Sequence, residues 1–109
     1  MNNFSKVERI EKLKEFLKQN PDDSFVQHAL ALEYIKAGDD SAAQKLFEEI
    51  LQRDPEYIGS YYHLAKLFER NGNAEAAVKW YEKGMELAKK AGENHAYSEL
   101  RSAYEELMF

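Results

Sequence analysis

Residues 27–55 of this chain recur 34 positions further on. Leu30, Ala31, Tyr34, Gly38, Ala43 and Phe47 reappear as Leu64, Ala65, Phe68, Gly72, Ala77 and Tyr81, with Ala42/Ala76, Lys45/Lys79 and Glu48/Glu82 in the same register. Pro55 follows Pro21 at that interval too, so the period reaches back toward the start. A repeat of this length is one supersecondary unit that cannot bury its apolar face alone and must stack on a neighbour. That requirement points to a stacked array before any single residue is considered.

The apolar spacing fills in the elements. Over residues 6–19, Ile10, Leu13, Phe16 and Leu17 recur at steps of three and four, one face of a helix. Ser5 and Glu8 have the spacing of a capping box, and Pro21 stops the helix. A helix over 24–37 carries Leu30, Ala31 and Tyr34 on one line and Phe25, His28, Leu32 and Ile35 on another. Gly38 ends it, Asp39 caps the next helix over 40–52, and that helix turns Ala43, Leu46, Phe47, Ile50 and Leu51 inward. The second copy predicts helices over 57–71 and 74–90, with Gly72 and Asn73 at the junction. Gly84, inside the latter, signals a close approach by another backbone. A last helix over 94–107 abandons the repeat, since Ser98, Glu99 and Ser102 stand where a third unit would place Leu-Ala and an aromatic. Its stripe of Ala96, Leu100, Ala103, Tyr104 and Leu107 suits a terminal cap, with Trp80 as the floor beneath it. Met108 and Phe109 are left either tucked back or exposed.

The pattern Leu30-Ala31, Tyr34, Ala43, Phe47, Pro55, with its second copy Tyr61, Leu64-Ala65, Phe68, Ala77, Tyr81, resembles the tetratricopeptide repeat. Two positions depart from it. Gln27 replaces the large opening aromatic, which implies a lighter contact, and Lys89 replaces the closing proline, which implies that the helix runs on. The resemblance implies an all-α, right-handed solenoid of helical hairpins with about six helices. It divides one domain of residues 1–109 into an N-terminal capping helix (6–20), a first repeat (24–57), a second repeat (58–91) and a C-terminal capping helix (93–109).

Charge and chemistry exclude several functions. The net charge of -5 argues against a nucleic-acid partner, which needs a basic stripe. With no cysteine there is no disulfide, thiol nucleophile or Cys-ligated zinc. The opening Met1-Asn2-Asn3-Phe4-Ser5-Lys6 has no apolar run of signal-peptide length, and no stretch is long enough to span a membrane, so a soluble, cytoplasmic protein without membrane partner is expected. His28 and His63 occupy corresponding helices one residue out of register, but a third ligand of suitable spacing is missing and no HExxH pair exists. Neither a phosphate-binding glycine loop nor a nucleophile-base arrangement is present. The expectation is therefore no metal, no cofactor and no enzymatic activity.

Function then rests on surface. Stacked hairpins place their first helices on a concave face. That face would carry Phe25, His28, Leu32, Ile35 and Lys36 from the first repeat and Tyr62, His63, Lys66, Glu69 and Arg70 from the second. Half apolar, with positive groups in an acidic protein, it suits a peptide segment with an apolar anchor and an acidic group. The competing expectation buries Phe25, Leu32 and Ile35 under the N-terminal helix. Chaperone-adaptor members of the family grip a peptide's terminal carboxylate with Lys, Asn and Arg; the matching positions are His28, Leu32, His63, Glu93 and Tyr97, none of which fits. A scaffold or adaptor for another protein is one reading. The alternative is self-assembly into a homodimer through edges bearing Tyr57, Tyr61, Tyr97 or Phe109.

Overall fold

Three glycines take a left-handed backbone that other residues adopt only with strain: Gly38 (φ +83°), Gly72 (φ +85°) and Gly92 (φ +73°). Each closes one helix. The backbone N–H of the next residue then reaches back to the helix it has left, from Asp39 to Tyr34 (2.8 Å), Asn73 to Phe68 (2.8 Å) and Glu93 to Ala88 (2.9 Å). Asp39 and Asn73 go on to cap the following helices, accepting from the N–H groups of Ala42 and Ala76 at 3.1 Å each. Asp23 does the same for Val26 at 3.0 Å.

The computed structural model describes residues 3–109, so the reading of Met1 and Asn2 lies outside the described residues. The described residues form six helices and no strand: α1 (Asn3–Gln19), α2 (Ser24–Lys36), α3 (Asp40–Arg53), α4 (Gly59–Arg70), α5 (Ala74–Ala91) and α6 (Asn94–Met108). They divide into two compact units, one ending at Asp54 and the other beginning at Pro55. Among the described residues no helix is long and apolar enough to cross a membrane.

In the first unit α2 packs on both α1 and α3. Leu30 and Ala31 of α2 and Ala43, Phe47, Ile50 and Leu51 of α3 are its buried apolar residues. The capping box expected at Ser5 does not form a helix start, because α1 already begins at Asn3 and Ser5 lies inside its first turn. Gln27 is also not the light contact expected. It is buried (6% exposed), its amide N–H donates to the Pro21 carbonyl (3.3 Å), and its amide oxygen accepts from Arg53. The same guanidinium donates to Ser24 Oγ (2.8 Å) and lies 3.6 Å from Asp22. In the second unit the equivalent Tyr61 donates its hydroxyl to the carbonyl of Pro55. Amide and phenol therefore do the same job, tying the first helix of a repeat to the proline six residues before it.

In the second unit α4 pairs with α5, α5 with α6, and α4 touches α6 more lightly. Tyr61, Leu64, Ala65 and Leu67 of α4 meet Ala77, Tyr81 and Ala88 of α5, with Leu100 and Ala103 of α6 completing the buried set. The expected run through Lys89 holds, since α5 continues to Ala91. Trp80 leans on Tyr61, ring centroids 5.9 Å apart, whereas α6 seats Leu100 over Gly84, where an added Cβ would lie 3.1 and 3.2 Å from the Leu100 methyls and 2.7 Å from Tyr61 Cβ. The close approach expected at Gly84 is present: the Tyr61 Cβ it faces is one bond from the α4 backbone, and the Leu100 methyls lie beside it.

Candidate functional site

α4 and α6 enclose an open groove of about 410 Å³ in the second unit. Helical spacing builds both walls. Tyr62 and Lys66, four residues apart on α4, form one side. On α6, His95, Glu99, Ser102 and Glu106 fall at steps of four, three and four and, with Ser98, form the other, with Ala103 at the base. The apolar stripe of α6 is thus spent on α5, and the polar residues that broke the repeat pattern face Tyr62 and Lys66 across the groove.

The electrostatics of the two walls differ. The Lys66 ammonium stands 5.7 Å from the centre of the Tyr62 ring and 3.8 Å from Glu69, which also accepts the Tyr81 hydroxyl at 2.8 Å. Burial and that bond to Glu69 push the Tyr81 phenol well above its ordinary pKa. Lys66 is therefore already partnered. Glu99 and Glu106 are exposed, and among the described residues neither is held in an ion pair. Tyr62 meets His63 edge-on (5.4 Å, 88°). Burial holds the His63 imidazole below its ordinary pKa, while the charge of Glu99 pulls the other way. Lys66, one of the positive groups expected on α4, therefore faces Glu99 and Glu106 of α6, and this groove carries an excess of carboxylate.

Of the sequence-predicted site residues, the structure puts Tyr62 and Lys66 in this groove, His63 against Tyr62, and Glu69 behind Lys66. Arg70 is exposed at the end of α4 and does not line it. The other five belong to the first unit. Phe25 stands 72% exposed on the first turn of α2, so it is not buried under α1. His28 lies edge-on to Phe47 (5.5 Å, 62°), and Leu32 and Ile35 are half-buried. Lys36 and Arg9 both reach Glu33, at 3.5 and 3.3 Å, and Lys6 donates to the Lys36 carbonyl (3.2 Å), so α1 is fastened along the last turns of α2. Among the described residues, no group of three or more His, Asp or Glu is gathered as a metal site.

Sequence reasoning missed the α6 wall. The signal was there: Glu99, Ser102 and Glu106 recur at steps of three and four, one face of a helix. Tyr61, expected on an edge, is instead 1% exposed.

A tetratricopeptide repeat family model matches residues 4–88. Among solved structures, the crystal structure of a tetratricopeptide repeat domain protein from Salinibacter ruber is 41% identical to this chain, covering 79% of it and 96% of the S. ruber chain, with a TM-score of 0.76. A solution NMR structure of a tetratricopeptide repeat domain protein from the same organism gives 41% identity, 80% and 88% coverage, and a TM-score of 0.77. The crystal structure of MamA, 24% identical over 84% of this chain and 55% of its own, shares the fold with a TM-score of 0.75. No curated protein sequence matches the chain.

Proposed function

The chain belongs to the tetratricopeptide repeat family, and from that premise we propose that it is a non-enzymatic scaffold that binds a segment of a partner protein in the α4–α6 groove. The observation that carries this reading is the pairing of an aromatic wall with two carboxylates that have no ion-pair partner among the described residues, opposite a lysine that has one. A bound segment would lay an apolar side chain against Tyr62 and set a lysine or arginine between Glu99 and Glu106, exchanging hydration for charge-assisted hydrogen bonds. The Ser98 and Ser102 hydroxyls would serve its backbone. In the first unit, the exposed Phe25 and the half-buried Leu32 and Ile35, with His28 and Lys36, are proposed as further contact residues of that unit alone.

The test is selection from a random-peptide display library against the purified protein, followed by calorimetry of the selected peptides. Enrichment of a basic residue near an apolar one is expected. Glu99→Gln with Glu106→Gln should lower affinity by roughly tenfold or more, as should Tyr62→Ala with Lys66→Ala, both without loss of helicity. Selection of acidic peptides, or affinity untouched by either pair, would refute the groove assignment.

A further inference from the structure

On α5, away from every residue of the groove, Ala76, Lys79, Trp80 and Lys83 line an open depression of about 360 Å³. Their spacing of three, one and three puts them on one stripe of the helix. Trp80 is half-buried, its ring tilted 42° against that of Tyr61, so one edge is held and the remainder is presented. Lys79 and Lys83 are exposed on its flank, and neither has an ion-pair partner among the described residues, in a chain with 20 acidic and 15 basic residues. An indole bordered by two unpartnered ammonium groups suits a segment that offers an aromatic or other apolar side chain beside carboxylates.

This chain carries such a segment. The end of α6 presents Phe109, 97% exposed, and Met108, 48% exposed, next to Glu105 and Glu106. Glu105 already holds Arg101 at 2.9 Å, and Glu106 has no ion-pair partner among the described residues. At that exposure Phe109 is not lying on the Trp80 of its own chain. We infer that the Trp80 shelf of one copy receives the Glu105–Phe109 segment of a second copy, the Phe109 ring against the indole and the glutamates beside Lys79 and Lys83. The contact joins two different patches, so it is heterologous: copies add head to tail unless a reciprocal exchange closes a dimer. It stands independently of the groove, which shares only Glu106 with it; the test therefore leaves Glu106 intact.

Trp80 is the only tryptophan, so its emission reports on the shelf directly. Sedimentation and fluorescence of the whole chain over rising concentration at low salt should show association together with a shift in Trp80 emission, both weakened by added salt. Phe109→Ser, which removes the inserted ring, and Lys79→Glu with Lys83→Glu, which reverses the shelf, should each move the association midpoint up by roughly tenfold or more. Every substituted residue is exposed, and unchanged melting would confirm that each variant folds. Mixing the two variants should restore association, but only to a heterodimer, since each supplies the half that the other lacks. A wild type that stays monomeric to roughly 1 mM would overturn the inference. So would a midpoint indifferent to either variant, as for a symmetric contact elsewhere. A mixture that fails to pair where the wild type associates would overturn it as well.

Discussion

Replacing Gly84 by Ala should destabilise the protein, although alanine is the better helix former. The new Cβ would lie 2.7 Å from Tyr61 Cβ, against roughly 3.5–4.0 Å for an unstrained carbon pair. Its contacts with the Leu100 methyls, at 3.1 and 3.2 Å, can be relieved by turning a flexible side chain. The contact with Tyr61 cannot, because its Cβ is bonded to the α4 backbone, so α4 and α5 must separate by on the order of 1 Å. Overpacking of this kind costs about 1–3 kcal/mol, and a clash with an immovable atom belongs at the upper end. The helix-propensity gain over glycine returns about 1 kcal/mol. A net loss of about 2 kcal/mol follows, which lowers Tm by roughly 10 °C in a chain of this size. Circular dichroism melts and urea titrations of wild type and Gly84→Ala measure it. A variant as stable as the wild type, or more so, would show that α4 and α5 do not meet as closely as the structure has them.

Two smaller perturbations test the rest of the frame. Because burial holds His63 below its ordinary pKa, the unfolded chain binds more protons on the acid side. Its contribution to stability is therefore present above about pH 6.5 and is lost as pH falls through that value toward the depressed folded-state pKa. Glu99→Gln removes the opposing charge and should lower the pKa of His63 further, read from its imidazole signals by NMR; a wild-type His63 titrating above about 6.5 would contradict the placement. Asp39→Ala and Asn73→Ala remove equivalent caps with equal 3.1 Å geometry, and should each cost about 1 kcal/mol by urea denaturation. An Asn73→Ala variant without loss would count against the cap.

What was legible in the sequence was whatever depends on neighbours along one helix. Six helices and the glycine junctions at Gly38 and Gly72 could be placed because caps and periodicity act over a few residues. The helix ends moved only where no side chain fixed them: α4 starts at Gly59, two residues later than expected, and no side chain caps it. Side-chain partners across helices were not legible. Gln27 read as a weakened position because an amide is smaller and more polar than an aromatic ring, but its worth depends on Pro21 and Arg53, six and 26 residues away. The charge of the α4–α6 groove was not legible for the same reason. α4 on its own offers Lys66 and Arg70, and the counting changes only when Glu69 is seen to hold Lys66 and α6 adds Glu99 and Glu106.

The two repeats also differ in a way that explains why α6 can be where it is. In register, Tyr61 and Gly84 of the second repeat correspond to Gln27 and Ile50 of the first. One repeat sets an amide in the place where the other has a ring, and a branched aliphatic where the other has no side chain, so bulk shifts from the second helix to the first. With an isoleucine at position 84, the Leu100 methyls would have nowhere to lie, since even a single carbon there comes within 3.2 Å of them. The glycine thus costs about 1 kcal/mol of helix propensity and in return opens the seat for Leu100. That seat fixes the rotation of α6 about its own axis, and the rotation decides that Ser98, Glu99, Ser102 and Glu106 face Tyr62 and Lys66 across the groove instead of open solvent. The charge of the proposed binding site therefore depends on one absent side chain in the helix behind it.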